Sequence, residues 1–260
     1  MGSQELPGVG TPAGFPLCRR CPFLPVDSPE TCFACSASRF PILKGQPCPV
    51  CDQRLRPPDR CTNDWCARAD RWFSIVWSIG PHVGAFRQVI AGYKYRAETG
   101  WAPVLGRVLL GYLDEHMPWF DDFDALVPMP AYTGAGARRP WDHVGEIVAV
   151  AARLAGPRWD FMPDVVVKDR ETPALAGLCR SARRACAEGP LRRALRVRAP
   201  DAVVGRRLLV VDDVFTEGST LREVARALVL AGADEVAGLT LARQPWQPPA
   251  PTRGPAPPRA

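Results

Sequence analysis

Residues 208–221 read Leu-Leu-Val-Val-Asp-Asp-Val-Phe-Thr-Glu-Gly-Ser-Thr-Leu. The apolar run 208–211 predicts a buried strand. It ends in two carboxylates, Asp212 and Asp213, passes through a loop holding Thr216, Glu217, Gly218, Ser219 and Thr220, and enters a helix near Leu221. In an open parallel sheet, ligands bind beyond the carboxyl ends of the strands. Backbone N–H groups of such a loop, with the N-terminus of the next helix, form an anion cradle suited to a phosphate. Gly218 permits positive φ and close backbone approach. Carboxylates placed just before a phosphate cradle would repel the anion. They make sense as acceptors for sugar hydroxyls, directly or through Mg2+. The stretch lacks the Gly-Lys-Ser/Thr of a P-loop, and no GxGxxG follows a strand. The plainer reading is a helix start with Ser219 or Thr216 as N-cap and acids favouring the dipole. Capping alone does not require two adjacent aspartates at the end of a buried strand.

Outward from this motif, strand and helix signals alternate. Strands are predicted at 72–79, 124–129, 165–168, 207–212 and 235–241, and helices at 83–95, 104–114, 143–154 and 221–231. Residues 173–186 read as irregular or weakly helical and basic. Parallel pairing needs crossover helices, so the alternation predicts an α/β fold with a parallel sheet flanked by helices. No repeat of 20–50 residues is visible.

Eight of the ten cysteines fall between Cys18 and Cys66 as four pairs: Cys18 and Cys21, Cys32 and Cys35, Cys48 and Cys51, Cys61 and Cys66. Close pairs let one knuckle place two thiolates on one metal, and two knuckles complete a closed tetrahedron. Eight thiolates therefore predict two structural Zn2+ sites. Redox CxxC motifs come singly, in a strand-to-helix context, and do not fit. Sequential grouping gives Cys18, Cys21, Cys32, Cys35 and then Cys48, Cys51, Cys61, Cys66. An interleaved cross-brace would exchange the second and third pairs, and the sequential arrangement is preferred. Few large apolar residues lie in this segment, so metal must replace a core. Cys179 and Cys186 lack zinc-pair spacing and read as free thiols.

The 260 residues are 47% hydrophobic and 23% charged, which excludes wholesale disorder, collagen and a membrane channel. No apolar run approaches a membrane-spanning length, so membrane insertion is not expected. The first 16 residues lack a basic-then-apolar leader pattern, which makes the cytoplasm the expected location. The expected organisation is a loose N-terminus at 1–16, a zinc-binding module at 17–70, a larger domain at 71–244 and a Pro-rich tail at 245–260, where seven prolines fall. The net charge of +6 is mild. Residues 168–198 hold nine Lys or Arg against three acids, an excess equal to that of the whole chain. Such a segment could steer a phosphorylated substrate or track single-stranded DNA. It contains no aromatic residue for base stacking, and a solvated arginine-rich surface explains it equally well. None of the histidines, His82, His116 and His143, sits in a metal-ligand spacing with another, and His143 reads as a helix-start residue.

Residues 210–221 resemble the PRPP-binding signature of type I phosphoribosyltransferases. By that resemblance Asp212 and Asp213 would contact the ribose hydroxyls of PRPP, and Thr216, Glu217, Gly218, Ser219 and Thr220 would hold its 5′-phosphate, with Mg2+ accompanying the ligand. Cysteine pairs ahead of such a body resemble the ComF family, which is associated with competence and DNA uptake. Gly92-Tyr93-Lys94-Tyr95-Arg96 is similar to that family's Lys-Tyr segment, Val127-Pro128-Met129-Pro130 to its Val-Pro-x-Pro strand end, and Thr172-Pro173 with Arg183 to a further loop. Arg139-Pro140-Trp141-Asp142-His143 stands where the family has Arg-Gly-Phe-Asn-Gln. Leu175 stands where Gln is usual, Cys186 where Asn is, and Glu217 where Thr or Ser is common.

The resemblance implies a type I phosphoribosyltransferase-like sheet with a small N-terminal zinc-binding module. It also implies displacement of pyrophosphate at the anomeric carbon by a nitrogen nucleophile. Asp212, Asp213, Lys94 and Arg139 would be the catalytic candidates, and Lys168, Arg170 and Arg183 further cations. The cradle is closer to the family pattern than the surrounding loops, which implies ligand binding ahead of turnover. The alternative is a non-enzymatic DNA-binding zinc protein acting in DNA uptake, with the cradle as a ligand sensor. Two observations would remove the enzymatic reading: both carboxylates turned inward, or loop amides consumed by neighbouring groups.

Overall fold

The structure, a computed structural model, describes residues 36, 37, 40, 41, 43, 45–175 and 177–245. The expected loose N-terminus, the first four cysteines (Cys18, Cys21, Cys32 and Cys35) and the tail beyond Pro245 lie outside the described residues. In chain order the elements are β1 (Val76–Pro81), α1 (Gly84–Tyr95), α2 (Ala102–Glu115), β2 (Ala125–Pro128), α3 (His143–Ala155), β3 (Asp160–Phe161), β4 (Val166–Lys168), α4 (Arg180–Cys186), β5 (Leu195–Val197), β6 (Arg207–Phe215), α5 (Ser219–Leu230) and β7 (Glu235–Arg243).

Five strands form one sheet in the order β1-β7-β6-β2-β3, and every pairing is parallel. This is the α/β class expected from the alternation of strands and helices. A sheet covered on both faces needs apolar residues at successive positions rather than alternate ones. Leu208, Leu209, Val210 and Val211 of β6 are accordingly all buried, as are Leu126 and Val127 of β2. Helix α2 buries Val104, Leu105, Val108, Leu109 and Leu113 completely. Its Gly106 lets α3 approach: a Cβ there would stand 2.5 Å from Val150 Cγ1.

Two strand expectations are corrected. The ladder at the first strand covers 76–81 rather than 72–79, because Trp72 closes a 3-10 turn at φ 69 and the chain joins β7 only afterwards. Strand β4 is not in the main sheet. The edge beside β2 is taken by the short β3, and β4 pairs antiparallel with β5. Helix α5 begins at Ser219, two residues before the periodicity suggests.

The connections fix the location of the crevice. From β2 the chain crosses through α3 to β3 on one side, and from β6 it crosses through α5 to β7 on the other. Neighbouring strands whose crossovers diverge mark a topological switch point, where open α/β sheets bind ligands. Strand β2 stops at Pro128, level with Val211 of β6, whereas β6 continues beside β7 to Phe215. Asp212 and Asp213 therefore stand on the overhang of β6 at the switch point.

The second cysteine group packs onto this body. Val76 N donates to Val50 O at 2.8 Å, and Cys48 and Cys51 join the hydrophobic core. Trp65, between Cys61 and Cys66, is buried beneath three guanidinium groups, with Arg68, Arg184 and Arg222 at 4.5–4.7 Å from its ring.

Candidate functional site

The two aspartates have different surroundings. Asp213 is buried, and its Oδ2 meets Lys94 Nζ at 2.5 Å and His143 Nε2 at 3.2 Å. Its Oδ1 accepts from Val214 N at 2.7 Å. Asp212 is half-buried, and its Oδ1 accepts from Asp213 N at 2.8 Å. One carboxylate is thus turned inward and consumed by partners, while the other remains partly exposed. Burial alone would raise the Asp213 carboxyl, but Lys94 and His143 outweigh it and hold the group well below the carboxylate range. Burial, with the Asp213 charge next to it, pushes Asp212 up to about 8. Burial acts to lower Lys94, but Asp213 and Asp212 overcome it and raise the ammonium above its ordinary value.

Lys94 lies in the last turn of α1, and the residue before it orders His143. Tyr93 Oη donates to His143 O at 2.8 Å and to Glu146 Oε2 at 3.1 Å. Asp142 caps α3 by accepting from Gly145 N at 2.9 Å. The read of His143 as a mere helix-start residue is therefore incomplete, because the ring also closes the Asp213 cluster. Its neighbour Arg139 makes no hydrogen bond or ion pair among the described residues and does not reach the aspartates. Lys168 and Arg170 face Glu171 and Asp169.

The loop after β6 fits an anion cradle in one respect and departs from it in another. Gly218 sits at φ +93, where a Cβ would also press to 2.7 Å from the Phe215 ring. It occupies the N-cap of α5 with no side-chain cap, so neither Ser219 nor Thr216 serves in that role. The backbone amides of residues 216–220 donate to no acceptor among the described residues. Gly218 and Ser219 are buried nonetheless, and buried donors call for partners. Thr216 is exposed. Glu217, however, is buried and takes the Ser219 hydroxyl on Oε1 at 2.7 Å, with Arg180 Nε 3.7 Å from Oε2. A carboxylate thus occupies part of the cradle.

A cavity of about 350 Å³ opens against this loop, lined by Thr216, Glu217, Arg180, Arg183, Gln53 and Asn63 among others. Arg183 is the predicted cation that the fold brings here. The rest of the basic segment is largely neutralised. Lys168, Arg170, Arg180, Arg184, Arg192 and Arg196, six of its nine cations, pair with carboxylates.

The sulfurs of Cys48, Cys51, Cys61 and Cys66 lie within 4.8 Å of one another, the second set of the sequential grouping. Four thiolates at 2.3 Å from one tetrahedral zinc would stand about 3.8 Å apart. Cys61 is 3.6 Å from both Cys51 and Cys66. Val50 N and Asn63 N donate to Cys48 and Cys61 at 3.5 and 3.4 Å. Contact with Cys61 and Cys66 holds the Cys51 thiol low, and contact with Cys51 pushes Cys61 up to about 12 and raises Cys66 as well. Thiols crowded in this way compete for ionisation, and a divalent cation at their centre removes the conflict. The four residues fit a zinc ion. Among the described residues, no helix is long and apolar enough to cross a membrane.

No protein-family model and no curated protein matches the chain. Among solved structures, the chain is similar to phosphoribosylpyrophosphate synthetase from Mycobacterium smegmatis at 18% identity and a TM-score of 0.31. The match covers 56% of this chain and 35% of that one.

The raised Asp212 carboxyl has a thermodynamic signature. The folded protein keeps a proton that the unfolded chain releases above its ordinary pKa of 3.8, so the contribution of Asp212 to stability falls as pH rises to about 8. We expect Asp212→Asn to gain melting temperature over the wild type by a margin that widens from about pH 4 to about pH 8 and is constant above. Calorimetric scans of both proteins across that range measure it, and a margin independent of pH contradicts the assignment.

Proposed function

We propose that this chain is a phosphoribosyltransferase-like protein of the ComF type that binds PRPP or a related sugar phosphate with Mg2+. The observation that carries the reading is the set of free, partly buried amides at 216–220 beside Asp212 at the switch point of the sheet. In this reading the amides and the N-terminus of α5 receive the 5′-phosphate, with Arg183 nearby. Asp212 serves the ribose hydroxyls, directly or through Mg2+. Asp213 keeps Lys94 fixed beside them rather than touching the ligand itself. Transfer would form a bond from a nitrogen nucleophile to the anomeric carbon as the bond to pyrophosphate breaks. The positive charge developing on the sugar would be met by the carboxylate edge at Asp212, and the negative charge developing on the departing pyrophosphate by Mg2+ and cationic side chains.

The chain would work in the cytoplasm, with 17–70 as the zinc-binding module, 71–244 as the phosphoribosyltransferase-like domain, and DNA uptake as the process it serves. The single-stranded DNA reading draws less support, because most of the basic segment is already paired with carboxylates.

Three measurements test the proposal. In calorimetry, PRPP should bind the zinc-loaded protein saturably and only with Mg2+, and the double variant Asp212→Asn, Asp213→Asn should weaken binding at least about tenfold. The absence of binding to the wild type overturns the reading. Glu217→Thr removes a carboxylate from the cradle and frees the Ser219 hydroxyl. It should tighten PRPP binding about tenfold in the same titration, by relief of like-charge repulsion. Elemental analysis should find two zinc ions per chain, falling to one when Cys51 and Cys61 are both changed to Ser, which disables only the cluster described above.

A further inference from the structure

The cysteine cluster touches the ligand loop through two side chains. Asn63 lies between Cys61 and Cys66, where its Oδ1 caps a 3-10 turn by accepting from Trp65 N at 3.3 Å. Its Nδ2 donates to Glu217 O at 3.0 Å. Arg243, the last residue of β7, is buried. Its Nη1 donates to Phe215 O at 3.3 Å and also to Thr216 O, while its Nη2 reaches Cys51 Sγ at 3.7 Å. One knuckle thus reaches the loop through its own Asn63, and the other is joined to it through Arg243 of β7, so that the two side chains together bond the three carbonyls at 215–217, the residues that lead into the free amides. Arg222, in the first turn of α5, adds a third tie by laying its guanidinium 4.5 Å from the Trp65 ring.

These contacts face one way. Asn63 and Arg243 donate and the loop carbonyls accept. A peptide whose carbonyl is held on one side presents its N–H groups to the other, the direction from which a phosphate would arrive. Four thiolates on one divalent cation leave a net negative cluster, and Arg243 sits against it through Nη2 with Nη1 on the loop. Metal loading would fix the Cys61–Cys66 turn that carries Asn63 and the Cys51 sulfur that meets Arg243. We propose that Asn63 and Arg243 are positioning residues through which the metal-loaded cysteine cluster holds the 215–217 backbone, so that metal occupancy sets the affinity of the loop for a phosphate-bearing ligand. The affinity part rests on the loop being the phosphate cradle, and the positioning part stands on the contacts alone.

The test separates the two parts by reading them independently on the full chain. Asn63→Asp keeps the oxygen that caps Trp65 N and loses the donor to Glu217 O; Asn63→Ser is the substitute if that variant fails to load zinc. Arg243→Lys keeps the charge and loses the forked geometry. Zinc content, amide hydrogen exchange over residues 213–222 and at Gln244, and PRPP affinity with Mg2+ are measured for each variant and for the wild type before and after zinc removal. With wild-type zinc content, each variant should exchange the hydrogen-bonded amides that flank the loop, such as Arg222 N on Gly218 O and Gln244 N on Phe215 O, about tenfold faster and bind PRPP about tenfold more weakly, with exchange elsewhere in the sheet unchanged. Stripping zinc from the wild type should produce the same local change, and stripping it from Asn63→Asp should add less than the sum, as coupled groups do. Zinc-loaded variants with wild-type loop exchange, or a zinc-free protein whose loop exchange is unaltered, overturn the proposal. If the wild type does not bind PRPP, the cradle reading fails, and the exchange measurements still decide whether the cluster holds the loop.

Discussion

Beyond Val211, strand β6 has a hydrogen-bonded neighbour on one side only among the described residues. Up to that residue it lies between β2 and β7, and past it only β7 continues. Pro128 ends β2, and Met129 N makes the last contact across the gap, to Val211 O at 2.7 Å. The difference in strand length creates a ledge at the centre of the sheet, and the sequence places Asp212 and Asp213 on it. The backbone there is supported by β7 yet open toward β2, so polar side chains can stand at a buried depth without breaking a ladder on both sides. The loop geometry, the ion cluster and the contact with the cysteine knuckles all follow from that ledge.

An ionised carboxylate at this depth survives only with partners. Burial of a lone charge costs several kcal/mol, and removing one member of a buried pair typically costs about 3–5 kcal/mol. Lys94 from α1 and His143 from α3 meet Asp213 from β6, so three elements far apart in the chain converge on one oxygen. Tyr93 strengthens the junction by bonding the α3 backbone at His143. The cost of this arrangement is that Asp213 and Lys94 are committed to each other. The neighbouring charge is also what raises Asp212. Two adjacent residues of one type therefore divide into a fixed anion and a protonatable group, through surroundings alone.

Much of the architecture was legible because it is written locally. Successive apolar residues, a carboxylate pair and a glycine-centred bend name a parallel strand, its carboxyl end and a helix start, all within residues 208–221. Thiol spacing likewise announced the cluster of Cys48, Cys51, Cys61 and Cys66. What escaped was long-range. Asn63 and Arg243 carry no local mark: one reads as a residue in a cysteine turn, the other as the end of a strand, and only the fold brings them to residues 215–217. His143 was singled out as part of a loop, but its partner lies 70 residues away. The strand at β4 was recognised and its sheet mistaken, because a three-residue apolar run does not state its partner. Arg139 entered through resemblance alone, and among the described residues no hydrogen bond or ion pair joins it to Asp212 or Asp213.

The pairing of β1 with β7 joins residues 76–81 to residues 238–243, nearly opposite ends of the described chain. During synthesis the first strand must wait for the last, since among the described residues β7 is the only neighbour it has in the sheet. Until then β1 presents unpaired backbone and the apolar surface of Val76 and Ile79. The cysteine knuckles leave the ribosome earlier and can close around metal while the body is still incomplete. Val50 O accepts from the amide of Val76 in the folded protein, so the cysteine segment is placed to partner that strand from its other end. Truncation anywhere ahead of Glu235 strands that edge for good.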